Sequence, residues 1–155
     1  MIKVKTSLNE LLVNVFNYIV SIEEIILKNR GLPISITEMH VLEAIDKTKE
    51  ATMTNVANRL LITIGTLSIA INRLVRKGYV IRKQSEVDRR KIFVQLTEEG
   101  ERVKAIHDQF HHEMIDHVIQ NINITEQSEL FLALENLQSY FRTKYQEEIN
   151  FRNEK

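Results

Sequence analysis

The chain has 155 residues and a mass of 18.2 kDa, the size of one domain and short for two independent ones. With one proline, four glycines and 43% apolar residues it is expected to be mostly helical, and without cysteine it has neither a disulfide framework nor thiolate chemistry, as suits a reducing cytoplasm. Its 21 basic and 21 acidic residues cancel, which taken alone argues against a nucleic-acid partner.

The charges are not evenly spread. Between Arg59 and Lys91 nine basic residues face only Glu86 and Asp88, a local excess of +7 that the rest of the chain offsets. Such a separation orients a molecule toward a polyanion. No stretch reaches the roughly 18 uninterrupted apolar residues of a spanning helix, and the N-terminus shows no cleavage pattern, so neither membrane insertion nor export is expected.

From Ser7 to Lys28, Leu8, Leu11, Leu12, Val15, Phe16, Ile19, Ile22, Ile25 and Ile26 recur at threes and fours, an amphipathic helix with a wide apolar stripe. Gly31 and Pro33 end it. Ser35 and Glu38 form a capping box for a helix from about Ile36 to Lys47. Thr52 caps a short helix to about Leu61 and Thr63 another to Lys77, with Gly78 as terminator. The tight Leu61-Ile62-Thr63 connection makes the pair a helix-turn-helix candidate.

After Gly78, residues 79–83 and 91–96 are β-branched and aromatic, and they read as hairpin arms with Ser85 to Arg90 at the tip. Thr97 starts a long helix through Val103, Ile106, Phe110, Met114 and Val118, and Thr125 a last one through Leu130, Leu134, Leu137 and Phe141. The first and last helices carry more apolar surface than one small core needs, so a helical dimer interface built from both termini is expected.

In the segment after Thr63, Ile64, Leu67, Ile71, Leu74 and Val75 are expected on the buried face. The other face presents Gly65, Ile69, Asn72, Arg73 and Arg76, flanked by Thr66 and Ser68. These are groups a major groove can use: Gly65 and Thr66 near a phosphate, Ile69 on a thymine methyl, Asn72 or Arg73 on base edges. A hairpin following such a helix is a wing. Its charged tip, Asp88, Arg89, Arg90 and Lys91, is expected to reach the flanking minor groove, with Arg90 inserted and Asp88 organising the loop through a neighbouring arginine. A merely solvated turn is the plain alternative.

The run Ala57-x-x-Leu60-x-Ile62-Thr63-x-Gly65-Thr66-Leu67-Ser68-x-x-Ile71-x-x-Leu74, then Lys77-Gly78-Tyr79, Asp88-Arg89-Arg90 and Leu96-Thr97-x-x-Gly100, resembles the MarR family of bacterial transcription regulators. The resemblance covers nearly the whole chain. It implies a mainly α fold with a small β-hairpin wing, one MarR-type domain over 1–155, in which about 35–100 form the winged helix-turn-helix lobe and about 1–30 and 101–155 the dimerisation helices. It also implies a homodimer on a pseudo-palindromic operator.

ITIGTLSIAINRLVRKGYV, EMHVLEAI and the His107-x-x-x-His111 pair are similar to the branch of that family that represses fatty-acid synthesis genes. That branch takes long-chain acyl groups on acyl carrier protein as corepressor, so the same is implied here, with no cofactor. An acyl chain needs a dry tunnel, for which Phe16, Ile19, Met39, Phe110 and Met114 are candidate lining and His107 a polar neighbour; ordinary core packing accounts for any one of them equally well.

His107 and His111 stand one helical turn apart, so their imidazoles could share a metal. Zinc-responsive members of the same family use a glutamate on the first helix, a histidine on the second and two on the fifth. Glu24, His40, His107 and His111 match, with Glu23 as substitute for Glu24; polar lining of an effector cleft is the other reading. No triad order, phosphate loop or paired carboxylates appear, so an enzyme is not expected. A purely structural helical adaptor would leave the +7 segment without a purpose.

Overall fold

The computed structural model describes residues 2–120 and 128–153. Within them the order is α1 (Ile2–Asn29), α2 (Ile36–Asp46), α3 (Met53–Leu60), α4 (Ile64–Arg76), β1 (Val80–Gln84), β2 (Ile92–Leu96), α5 (Glu98–Ile119) and α6 (Glu129–Asn153). The fold is mainly helical with one antiparallel hairpin, as the sequence leads one to expect. Residues Met1–His111 form one compact unit and His112–Lys155 a second. No single described helix is long and apolar enough to cross a membrane.

Local signals set most of the boundaries. α1 starts five residues before Ser7, there being no glycine or proline to delay it. It ends where Gly31 takes φ +64° and Leu32 N donates to Leu27 O at 3.0 Å, the 6→1 bond of a Schellman turn. The Ser35 capping box forms: Glu38 N donates to Ser35 Oγ at 3.2 Å, and Ser35 N donates to Glu38 Oε2 at 2.9 Å. Glu38 Oε2 also accepts from Lys77 Nζ at 2.6 Å, fastening α2 to the end of α4.

Thr97 does two jobs at the head of α5. Its Oγ1 accepts from Gly100 N at 3.0 Å and donates to Gly78 O at 2.6 Å. The expected cap Thr125 lies outside the described residues; α6 is instead capped by Ser128, whose Oγ accepts from Phe131 N at 3.3 Å.

The hairpin pairs Val80 with Leu96 through to Gln84 with Ile92. A further rung joins it from the segment before α3, because Val94 N donates to Ala51 O at 2.8 Å and Thr52 bridges Phe93. That rung locks the wing to the helix-turn-helix. The core of the first unit is one cluster: Leu27 from α1, Met39, Leu42 and Ile45 from α2, Val56 from α3, Leu67, Ile71 and Leu74 from α4, Val80, Val94, and Val103 from α5. Burying each of these larger side chains contributes about 1.5–3 kcal/mol relative to exposure.

Beyond this core α1 is mostly bare in the single chain. Leu8, Leu11, Val15, Phe16, Ile22 and Ile25 are all exposed. In the second unit Leu130, Leu134 and Phe141 of α6 are exposed as well.

Candidate nucleic-acid interface and histidine cluster

Helices α3 and α4 are bent by 107° at the break between them, within the range of a helix-turn-helix. The turn is made by Leu61, the one non-glycine residue with positive φ (+57°) among those described, and by Thr63, whose Oγ1 accepts from Thr66 N at 3.1 Å. The Thr63 and Thr66 hydroxyls are also 2.9 Å apart.

Only the stripe Leu67, Ile71 and Leu74 anchors α4, each fully buried. Ile64 and Val75, expected on that face, are instead exposed by 50% and 38%. They fall on the flanks of the stripe, where α2, α3 and β1 do not reach around the helix. Gly65, Thr66, Ile69, Asn72, Arg73 and Arg76 are exposed as expected, and Ser68 is half-buried. A Cβ added at Gly65 would meet nothing nearer than Thr63 Oγ1 at 3.8 Å, so no internal packing requires glycine there.

The wing tip is built rather than loose. Ser85 N donates to Lys91 O at 3.0 Å and Lys91 N to Asp88 O at 2.9 Å, while Ser85 Oγ accepts from Val87 N at 3.3 Å and Asp88 N at 3.2 Å. Gln84 Nε2 donates to Arg89 O at 2.6 Å. Asp88 Oδ1 accepts from Arg90 N at 3.1 Å and Nε at 3.4 Å. Arg90 itself is the arginine that Asp88 holds, and its side chain is 94% exposed.

Between wing and α4 lies a cleft of about 820 Å³, lined by Thr52 to Asn55 at the head of α3, by Ile64, Ser68 and Asn72 of α4, and by Arg82, Arg90, Lys91 and Ile92 of the hairpin. Of the residues singled out in the sequence, it brings Ser68, Asn72, Arg90 and Lys91 to one concave surface. Arg82 was missed there. It donates Nη1 to Asn72 Oδ1 at 2.8 Å. Nothing in its local sequence shows that the strand passes over α4.

A second cluster joins α1, α2 and α5. Glu23, 3% exposed, places Oε1 3.0 Å from His107 Nε2 and 2.8 Å from His111 Nε2, and the two imidazole nitrogens are 3.2 Å apart. Its Oε2 is 3.6 Å from His40 Nε2. Of the neighbouring carboxylates it is Glu23, not Glu24, that faces the histidines: Glu24 is exposed. Glu43, which the sequence reading passed over, groups with His40 and His107; its place three residues after His40, on one helix face, was the available signal.

Burial, then the charge of His111, push the His107 imidazole below its usual value, against the opposing pull of Glu23 and Glu43. That direction favours the neutral imidazole, the form that ligates metals. Its Nδ1 is buried with no hydrogen-bond partner. The remaining expected effector residues are spread out: Phe16 is exposed, Ile19 half-buried, Met39 fully enclosed in the core, and Phe110 half-buried with its ring 5.2 Å from that of His111. Met114 is half-buried in the second unit.

A cap-defined helix presenting amide, hydroxyl and guanidinium groups beside a basic hairpin defines a winged helix-turn-helix protein of the DNA-binding class. The model of the MarR family matches residues 31–91. The crystal structure of Streptococcus pneumoniae FabT in complex with DNA superposes with a TM-score of 0.74 at 32% identity, covering 94% of this chain and 99% of that one. The HTH-type transcriptional regulator SarZ of Staphylococcus epidermidis is 29% identical over 140 residues, 86% of this chain and 90% of that protein. The transcriptional regulator BldR from Sulfolobus solfataricus shares the fold, with a TM-score of 0.65 at 22% identity over 90% of this chain and 97% of that one. The chain belongs to the MarR family and is a transcriptional regulator, not an enzyme.

Proposed function

We propose that this regulator is a homodimeric, sequence-specific repressor of fatty-acid biosynthesis genes, acting in the cytoplasm on a pseudo-palindromic operator with long-chain acyl-acyl carrier protein as corepressor. The observation that carries the operator-binding part is the concave surface on which Ser68 and Asn72 of α4 face Arg82, Arg90 and Lys91 of the hairpin. There α4 meets a basic arm, and Glu50 is the one acidic residue of the lining. The exposed apolar residues of α1 and of α6, each in its own unit, supply the surface for a second copy. The gene set and corepressor rest on the resemblance at the recognition helix and on the 32% identity to FabT.

In such a dimer the two α4 helices must be set about one helical turn of DNA, roughly 34 Å, apart to read both half-sites. A corepressor acts by binding the competent spacing more tightly. The test is fluorescence anisotropy of a labelled fragment of this protein's own promoter region, with acylated and unacylated carrier protein and across a salt series. Tightening by the acylated form alone, with a steep loss of affinity in salt, is the expected result. An unchanged Kd with both carrier forms removes the corepressor, and a flat salt response removes the DNA role.

The histidine cluster favours a second reading, zinc as effector. Bonds of about 2.0–2.1 Å to a tetrahedral ion set ligand atoms about 3.3 Å apart. The distances of 2.8, 3.0 and 3.2 Å among Glu23 Oε1, His107 Nε2 and His111 Nε2 fit that spacing, whereas His40 groups with Glu43 and His107 instead. Glu23, His107 and His111 would hold the ion, which would supply a fixed bridge between α1 and α5. Zinc and a chelator in the same anisotropy assay separate the readings: abolition of binding by the chelator, without response to acyl carrier, makes Glu23, His107 and His111 ligands.

A further inference from the structure

The hydrogen bond from Arg82 to Asn72 has a chemical direction. A guanidinium carries only donors, so the amide atom 2.8 Å from Arg82 Nη1 must be the oxygen, and the Asn72 nitrogen points elsewhere. The two residues come from different elements, β1 and α4, and both line the cleft beside the wing. Among the described residues Arg82 forms no ion pair with a carboxylate, so no carboxylate competes with the asparagine for it.

A free asparagine reads adenine with both ends of its amide, the oxygen accepting from N6 and the nitrogen donating to N7. In Asn72 that pair is unequal. One lone pair of its oxygen already accepts from Arg82, whose cationic guanidinium stands beside it, so the NH2 group, with donors only, is the end left for a base. The complementary major-groove edge is one with acceptors only, the O6 and N7 of guanine; adenine would bring its own N6 donor against a donor.

We infer that Arg82 is a specificity-determining residue of the operator interface, which holds the Asn72 amide as a donor and so makes it select guanine over adenine. This rests on the operator-binding reading above. Arg82 acts through Asn72, as a positioning residue, and its effect is on base preference rather than on affinity alone.

The experiment is selection from a randomised duplex library by the wild-type protein and by Asn72→Ala, Arg82→Met and Arg82→Gln, followed by Kd measurements on the selected half-sites. Both residues are exposed, so the variants are expected to melt with the wild type. Asn72→Ala erases preference at one position per half-site, where the wild type takes guanine. Arg82→Met frees the amide and shifts the guanine-to-adenine ratio there toward adenine by about fivefold or more. Arg82→Gln loses the charge but keeps a donor for Oδ1, so it weakens binding on all sequences and retains guanine.

An unchanged base profile in Arg82→Met overturns the inference, as do identical profiles for Arg82→Met and Arg82→Gln, since the charge and not the directed donor would then matter. If the wild type enriches no sequence, the operator-binding reading itself has failed. If it enriches one that Asn72→Ala leaves intact, only the role of this pair has failed.

Discussion

Asp88 holds Arg90 through two hydrogen bonds to the same carboxylate oxygen, one from the backbone N and one from Nε. The contact is exposed and weak as an ion pair. Its effect is to fix the turn that carries the arginine. Arg90→Ala is expected to weaken operator binding and to relax preference in the A·T flanks, because an arginine in a narrow minor groove reads its potential. Asp88→Ala should weaken binding less, by about 0.5–1 kcal/mol, since ordering the loop is then paid on binding. Anisotropy on operators with A·T and G·C flanks checks both, and equal losses on the two flanks would place Arg90 on a phosphate instead.

Gly100 lies against the backbone of Tyr79, where an added Cβ would fall 2.1 Å from the carbonyl oxygen and 3.1 Å from the carbonyl carbon. Neither atom belongs to a side chain that could swing aside. Tyr79 O also accepts from Thr97 N at 3.0 Å, so moving it breaks the junction between β1 and α5. Gly100→Ala is expected to cost about 2–3 kcal/mol through overpacking. Thermal melting measures it, and a variant that melts with the wild type would show that α5 can slide.

The Glu38 carboxyl sits where burial tends to raise its pKa, but the bonds from Lys77 and Ser35 and the charge of Lys77 outweigh this and hold it below its ordinary 4.5. A depressed carboxylate contributes stability that is fully present above 4.5 and lost as pH falls through the lower folded value. Glu38→Gln should therefore lower stability near neutral pH by about 1–2 kcal/mol, the one-third exposure of Lys77 limiting the effect. It should also flatten the stability loss between about pH 5 and pH 3. Urea unfolding over that range is the measurement; a parallel pH profile in the variant would remove Glu38 from the acid transition.

What could be read in the sequence divides along physical lines. The Ser35 box, the Thr52, Thr63 and Thr97 caps and the Gly31 and Gly78 stops were legible because each is settled within four residues. The outer face of α4 followed from helical phase. Ile64 and Val75 were misplaced because phase gives the centre of a buried stripe, while its width depends on how far α2, α3 and β1 wrap around it. The choice of Glu23 over Glu24 depends on the rotation of α1 against α2 and α5, and the Arg82 contact depends on where a strand crosses a helix. Neither is encoded locally.

That rotation makes the metal reading testable within α1. Adjacent glutamates on a helix point about 100° apart, and here Glu23 enters the histidine cluster while Glu24 stays exposed. Glu23→Gln keeps the shape of the side chain but removes the anionic ligand, so in a chelator-competition titration its zinc affinity should fall by about a hundredfold or more. Glu24→Gln should bind as the wild type does. Because ligation requires neutral imidazoles, affinity should also decline as the histidines protonate on acidification. Equal affinity in the two glutamine variants would mean that Glu23 contributes no bond to zinc, and would return the cluster to a carboxylate-histidine hydrogen-bond group.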